Sequence, residues 1–288
     1  LVVQDGDSLR SLVNTSPREA LYTPVYAPSG HILYQRGGGE DANVWALPFD
    51  TGSLQATDEP FIAAEGAMYP SVSDDGTLVY VTPSLTGSGQ LVWVDRSGKV
   101  TGTIGQPQES MIWPALSPDE RHVAVVATDQ NNSDVWVHDV QRDTKIRLTF
   151  DTASDGFSAW SPDGTELAFH STRNGNYDIF KKRSDGSGRT ESLVTGPTRD
   201  WFPSWSPDGY LVYAGTENGT NDIWVVSLDG DKKPVPLMET QHQDLFPALS
   251  PDGRYLAYQS YQSETNEVYV TRFPSGNGKW LVGAGIRP

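Results

Sequence analysis

The sequence predicts an all-β fold: a β-propeller of four-stranded antiparallel blades, six blades favoured and seven the alternative. Three observations predict it. A short turn signature returns at a period near 44 residues along almost the whole chain. Runs of strand length surround each copy, and nothing between the copies reads as a long amphipathic helix. A period in this range is that of a four-stranded propeller blade.

The signature itself comes first. "WSPDG" stands at Trp160–Gly164 and Trp205–Gly209, and "LSPDG" at Leu249–Gly253. Its last position falls at Gly30, Gly76, Glu120, Gly164, Gly209 and Gly253, at intervals of 46, 44, 44, 45 and 44. In Ser-Pro-Asp-Gly, proline presets φ at the second position of a type I turn. Aspartate tolerates the third position, and glycine takes the left-handed fourth. The turn thus joins the first and second strands of a blade as a tight hairpin. Two units deviate. The first reads "APSG", and the third reads "SPDE", where Glu120 either sits left-handed at a cost of about 1 kcal/mol or shifts the turn.

The strand before the turn is patterned. Seven positions before the turn's end lie Thr23, Tyr69, Trp113, Phe157, Phe202 and Phe246, and the next residue is proline in every unit but the fourth, which has Ser158. Four positions before the end stand Tyr26, Val72, Leu116, Trp160, Trp205 and Leu249, flanked by residues that are almost all Ala or Ser. Period-2 alternation then has both bulky positions filling the space between blades, with the small residues at the crowded axis. The second strand follows the turn, as in "YLAYQS" at Tyr255–Ser260. The third opens with a polar or acidic residue before an apolar run: "NVW" at Asn43, "DVW" at Asp134, "DIF" at Asp178, "DIW" at Asp222 and "EVY" at Glu267. Repetition in five units argues for capping a neighbouring backbone or pairing with a turn, since catalysis would not need the residue in every blade. A weaker fourth strand closes the unit, as in "IRLT" at Ile146–Thr149. The blades run over about 21–66, 67–110, 111–154, 155–199, 200–243 and 244–288, with 1–20 a partial blade or closing strands.

Bulk properties narrow the function. The chain has 288 residues, with 28 Gly, 20 Pro, 9 Trp and 12 Tyr, a composition suited to many short strands and turns. With no cysteine there are no disulfides, thiolate metal sites or thiol nucleophiles. A net charge of −16 repels phosphate backbones and anionic lipids, so nucleic acid is not an expected partner. No stretch approaches the roughly 20 apolar residues of a membrane span, so membrane insertion is not expected either. The ends "LVVQDG" and "GAGIRP" read as cuts, as in a mature form or an excised domain.

"FSAWSPDGTELAFHSTRNGNYDIF" (Phe157–Phe180) resembles the TolB-type, WD-like propeller repeat, and the resemblance covers all six units. "LVWVDRSGKV" and "RFPSGNGKWLV" are also similar to propeller segments that follow kinase domains in some bacterial serine/threonine kinases. Those segments are extracytoplasmic and have no demonstrated chemistry as a class. The resemblance implies a periplasmic or extracytoplasmic monomer that binds a protein partner or small ligand. In such relatives a further unit tends to follow "GKW", so the residues Leu1–Val13, read as strands three and four of a preceding blade, either close a six-bladed ring or belong to a seventh blade. Ring closure removes exposed sheet edges.

Motifs for chemistry are sparse. There is no G-x-S-x-G elbow, Walker loop or dinucleotide-binding glycine pattern. The five histidines share no metal-ligand spacing, and His170, at the end of a second strand, is the one of interest. One constellation remains. Nine positions before the turn's end, successive blades carry Asp155, Asp200 and Asp244, where the other blades have Leu21, Ala67 and Met111. Equivalent positions form a ring, and these begin the innermost strands, at one mouth of the channel. Three carboxylates there suit a cationic ligand or a protein loop, or a Ca²⁺ ion through oxygen ligands. The plainer reading has each aspartate capping its own turn in solvent. Arg199, Trp201, Gln243 and Glu109 would be neighbours on that rim, Arg199 and Trp201 as contact residues. Apart from Ca²⁺, no cofactor is expected. A binding or scaffolding propeller leads. The rival is an axial lyase or hydrolase, which requires Asp200 or Asp244 within hydrogen-bond reach of His170 or Arg199.

Overall fold

The structure, a computed structural model, describes residues 2–5, 8–11, 21–37, 42–50, 53, 55–73, 76–82, 88–95, 99–129, 132–217, 219–229, 233–238, 240–262 and 266–285. Six antiparallel sheets follow one another along the chain. Their innermost strands are Leu21–Ala27, Met68–Val72, Ile112–Leu116, Asp155–Trp160, Arg199–Trp205 and Asp244–Leu249. We call the sheets blades one to six. Five are four-stranded; in blade one, two short strands, Gln55–Ala56 and Phe61–Ala64, share the outer edge of the third strand. The N-terminal strands Val2–Asp5 and Ser8–Ser11 form a hairpin that joins no blade and lies beside Lys279–Gly285, the outermost strand of blade six. No helix among the described residues is long and apolar enough to cross a membrane.

The blades close into a ring because each buries an apolar face against the next. Six cores serve six junctions. Leu33 and Val44 of blade one meet Tyr80 and Val92 of blade two, and Val79 and Leu91 of blade two meet Val123 and Val125 of blade three. Trp160 and Phe169 pack on Val135 and Val137, Leu211 and Tyr213 on Ala168 and Ile179, and Leu256 and Tyr258 on Val212 and Ile223. Val268 and Val270 of blade six pack on Tyr34 and Leu47 of blade one, which completes the circle. Burial at these seams is the main stabilising contribution, at about 25 cal/mol per Å² of apolar surface.

The signature turn is closed by the expected hydrogen bond in all six blades. The amide of its last residue donates to the carbonyl of its first, from Gly30 to Ala27 (3.0 Å) through Gly253 to Ser250 (2.8 Å). Glu120 keeps the frame and sits left-handed at φ 59°. The residue four positions before the turn's end packs between blades, as expected: Trp160 against blade three, Trp205 against blade four and Leu249 against blade five. Seams also carry hydrogen bonds, from Trp160 Nε1 to the Ala115 carbonyl (2.8 Å) and from Leu116 N to Ser71 Oγ (3.1 Å).

The other bulky position departs from the alternation. Thr23, Tyr69, Trp113, Phe157, Phe202 and Phe246 all have positive φ, between 34° and 55°. Each sits at a register shift in its innermost strand, such as that between Gly156 and Ser158 or between Trp201 and Ser204. A left-handed bulge resets which face a side chain takes. Trp113, Phe157, Phe202 and Phe246 turn to the axis, and the simple period-2 reading fails at them, whereas Tyr69 still packs on the seam of blades two and three.

Polar or acidic openings of the third strand act as latches. Asp178 Oδ1 accepts from Gly196 N (3.3 Å), Asp222 Oδ1 from Thr240 N (2.9 Å), and Asn43 Oδ1 from Gly66 N (3.0 Å). Asp134 Oδ1 accepts from the Thr149 hydroxyl (3.0 Å). Each fixes the segment leading to the next blade. Because Glu120 occupies a glycine-type conformation, Glu120→Gly should raise stability by about 1 kcal/mol. A urea midpoint that falls or stays put would show the turn unstrained.

Candidate functional site

Asp155, Asp200 and Asp244 do begin the innermost strands, but their side chains do not ring the mouth in solvent. They are 0%, 2% and 0% exposed. Asp155 accepts two hydrogen bonds from Arg173 Nη2 (3.0 and 3.1 Å), within its own blade. Asp200 accepts from the Thr198 hydroxyl (3.1 Å) and Asp244 from the Thr240 hydroxyl (2.8 Å). No three His, Asp or Glu side chains among the described residues are grouped as a metal ion would require. Both the solvated-cap picture and the acidic-mouth picture give way to a third arrangement.

In that arrangement the aspartates share the junctions with the latch acids. Asp134, Asp155, Asp178, Asp200, Asp222, Asp244 and Glu267 are all buried and follow one another through blades three to six. Cations offset some of them: Arg147 pairs with Asp134, and Arg173 with Asp155 at 3.0 Å. Burial raises the pKa of Asp155, with Arg173 pulling it back. Burial also raises that of Asp244, opposed by Thr240 and Lys279 and reinforced by Asp222. Among the described residues no cation pairs with Asp200. Burial, opposed by Thr198 and reinforced by the charge of Asp178, pushes its pKa up to about 7.

The mouth itself is aromatic. Phe202 contacts Phe246 at 4.2 Å between ring centres and Phe157 at 5.0 Å, and Trp113 meets Phe157 at 5.7 Å. Trp113 of blade three also meets Phe202 of blade five at 6.4 Å, a contact that only side chains at the axis can make. Trp201 stacks on Phe202 at 5.6 Å and packs against Tyr177 at 5.1 Å. Trp113, Phe157, Trp201 and Phe246 keep partial exposure, so the cluster lines an open surface and is not sealed core. The position before each left-handed residue holds Met68, Ile112, Gly156, Trp201 and Leu245, none of them charged.

His170 lies in this cluster, 5.2 Å from Tyr177, 5.9 Å from Phe202 and 6.4 Å from Trp113. It is 6% exposed, and burial pushes its pKa down to about 3, so the imidazole is neutral at physiological pH. Trp201 lies in the cluster, stacked on Phe202, and Arg199 beside it in sequence is exposed. Among the described residues no hydrogen bond joins His170 or Arg199 to Asp200 or Asp244; Asp200 bonds Thr198, and Nδ1 of His170 has no partner. The pairing that an axial enzyme requires is not formed. Gln243 instead accepts from Asn221 N (3.2 Å), tying its loop to the third strand of blade five, and Glu109 is exposed. Trp113, Phe157, Phe246 and Tyr177 were not singled out as site residues. The recurrence of Trp113, Phe157 and Phe246 seven positions before the turn's end was visible, but the bulge that turns them inward was not; Tyr177 stands outside that repeat position, just before the third strand of blade four.

Residues 61–233 match the family described as the TolB beta propeller domain. An uncharacterized protein of Agrobacterium fabrum is 28% identical over 152 residues, which make up 51% of this chain and 47% of that protein. The Tol-Pal system protein TolB of Alcanivorax borkumensis is 30% identical over 101 residues, 34% of this chain and 23% of that protein. The chain therefore spans less than half the length of either relative. Among solved structures, TolB from Acinetobacter baumannii superposes with a TM-score of 0.72 at 17% identity, covering 93% of this chain and 65% of that one. A puromycin-hydrolyzing peptidase of Mycobacterium tuberculosis superposes with a TM-score of 0.69 at 16% identity, covering 98% and 48%. At such identities the likeness shows the fold alone.

The raised pKa of Asp200 has a signed consequence. The folded state keeps its proton up to about pH 7, whereas the unfolded chain loses it near pH 3.9. The stability tied to this proton is present below the unfolded value and is lost as pH rises through the folded one. Asp200→Asn removes the titration while retaining an acceptor for Thr198. From about pH 4 to about pH 8 the variant should gain on wild type by on the order of 2–4 kcal/mol in urea unfolding. A difference that does not change with pH would contradict the assignment.

Proposed function

The chain belongs to the TolB β-propeller domain family, and on that premise we propose that it is a non-enzymatic binding or scaffolding propeller. Its site is the channel mouth where the innermost strands begin, and its ligand is a protein partner or a small molecule. The observation that carries this reading is the aromatic cluster from blades three to six, partly exposed around the axis. Large aromatics that remain partly wet are costly to keep at a surface and are enriched where partners dock. The three aspartates support the reading differently from the sequence expectation: they stiffen the rim behind the aromatics and do not meet the ligand. An extracytoplasmic location is part of the proposal and rests on family resemblance. The peptidase likeness is a likeness of fold and brings no activity with it.

A photoreactive amino acid in place of Trp201 tests the site. Cross-linked adducts should form with a discrete partner from that position and not from position 163, on the opposite face. Equal labelling from both positions, or none from the mouth, would count against it.

A further inference from the structure

Blade three buries a histidine in its third strand, away from the channel mouth. That strand, Asn132–Asp139, has His138 four residues after the opening Asp134. Blades one, four, five and six have Leu47, Lys182, Val226 and Thr271 at this place. His138 is 1% exposed, and neither ring nitrogen has a hydrogen-bond partner. That is a costly state for a buried polar group. The other polar residues at this place are paired. Lys182 Nζ donates to the Leu148 carbonyl (2.8 Å), and the Thr271 hydroxyl donates to the Gly278 carbonyl (2.6 Å).

The imidazole lies in the seam between blades two and three. Trp136, two residues earlier and on the same face of the strand, packs with Leu91 and Ile104 of blade two. Gly105 belongs to the outermost strand of blade two, Val100–Glu109, and a Cβ on it would stand 2.7 Å from His138 Nδ1. The glycine is what lets blade two close over the ring. Two hydrogen bonds cross the seam at its outer edge. Gly105 N donates to Asp143 Oδ1 (2.9 Å), and Lys145 Nζ donates to Gln108 Oε1 (2.9 Å). Asp143 and Lys145 are also the charged groups that act on the imidazole, whereas blade two presents the uncharged Gly105 and Gln108.

We propose that protonation of His138 opens the seam between blades two and three, so that the ring carries an acid-released catch. The neutral imidazole fits the closed seam between Gly105 and the apolar side chains. The imidazolium has two donors and no acceptor in place, with Lys145 fastened across the same seam. Asp143 is the carboxylate that acts on the ring, and its Oδ1 already holds the Gly105 amide. In turning to the imidazolium it lets go of Gly105, and with it the outermost strand of blade two. Burial, reinforced by Lys145 and opposed by Asp143, pushes the pKa of the closed state down to about 4. The open state has the ordinary histidine value, about 6.5. The stability of the closed seam is therefore complete above about pH 6.5 and is lost as pH falls toward about 4.

Hydrogen exchange of the whole chain, followed by NMR, tests this at two places: the Gly105 amide and the Trp136 indole N–H, which is sealed in the same seam. Protection of both, corrected for the intrinsic exchange rate, should fall about tenfold per pH unit below about pH 6.5. His138→Phe should abolish that fall. Lys145→Gln removes the charge that disfavours the imidazolium in the closed seam, and it should make the total fall severalfold smaller. No fall in the wild type, or an undiminished fall in His138→Phe, would overturn the proposal. If His138→Phe does not fold, an unchanged fall in Lys145→Gln overturns it instead.

Discussion

Each innermost strand faces the same steric problem: six of them approach one axis, and each carries a bulky residue that alternation would send into a seam already filled. A left-handed residue solves it. By taking positive φ at Trp113, Phe157, Phe202 and Phe246 the chain bulges and swings that side chain inward; Thr23 and Tyr69 share the positive φ, and Tyr69 packs on the seam of blades two and three. Bulky residues at φ > 0 are rare and strained, at about 1–3 kcal/mol each. The ring tolerates the strain because the seams on either side of each bulge are well packed. Without the bulges, the axis would have only small residues and no aromatic surface.

The seams depend in turn on polar fastening. The latch acids hold the segment that enters the next blade, and the threonines of that segment hold the next innermost strand. Asp222 accepts from Thr240 N while the same threonine's hydroxyl donates to Asp244. This places two carboxylates at one junction, a repulsion that backbone amides, hydroxyls and a few cations reduce. At Asp200, which pairs with no cation among the described residues, burial pushes the pKa up to about 7. The aspartates that distinguish blades four to six are thus part of how the rim is built.

Most of the architecture was legible because it repeats. A turn with a stated mechanism, the period near 44 and the interblade tryptophans give blade number, hairpins and seams directly, and the latch role of Asp134, Asp178 and Asp222 followed from its recurrence. The site was legible only in part. Trp201 and His170 were named from the sequence and both lie in the aromatic cluster, yet the three aspartates pointed to an acidic mouth that the structure replaces with an aromatic one. Alternation assumes an uninterrupted strand, and a single left-handed residue inverts the faces after it. Nothing in the residue types betrays that bulge, since phenylalanine and tryptophan are ordinary strand formers. The clue that was available lies in blade four, where Gly156, Ser158 and His170 depart together from their counterparts.

The most direct measurement is a nuclear Overhauser experiment on protein labelled selectively at tryptophan and phenylalanine rings. Trp113 and Phe202 belong to blades three and five, and their ring centres are 6.4 Å apart only if both turn to the axis. A cross-peak between the two rings, lost in Phe202→Leu, is the expected result. Strong cross-peaks from Trp113 to blade-two seam residues such as Val79 and Leu91, with none to Phe202, would place these side chains between blades and contradict the aromatic mouth.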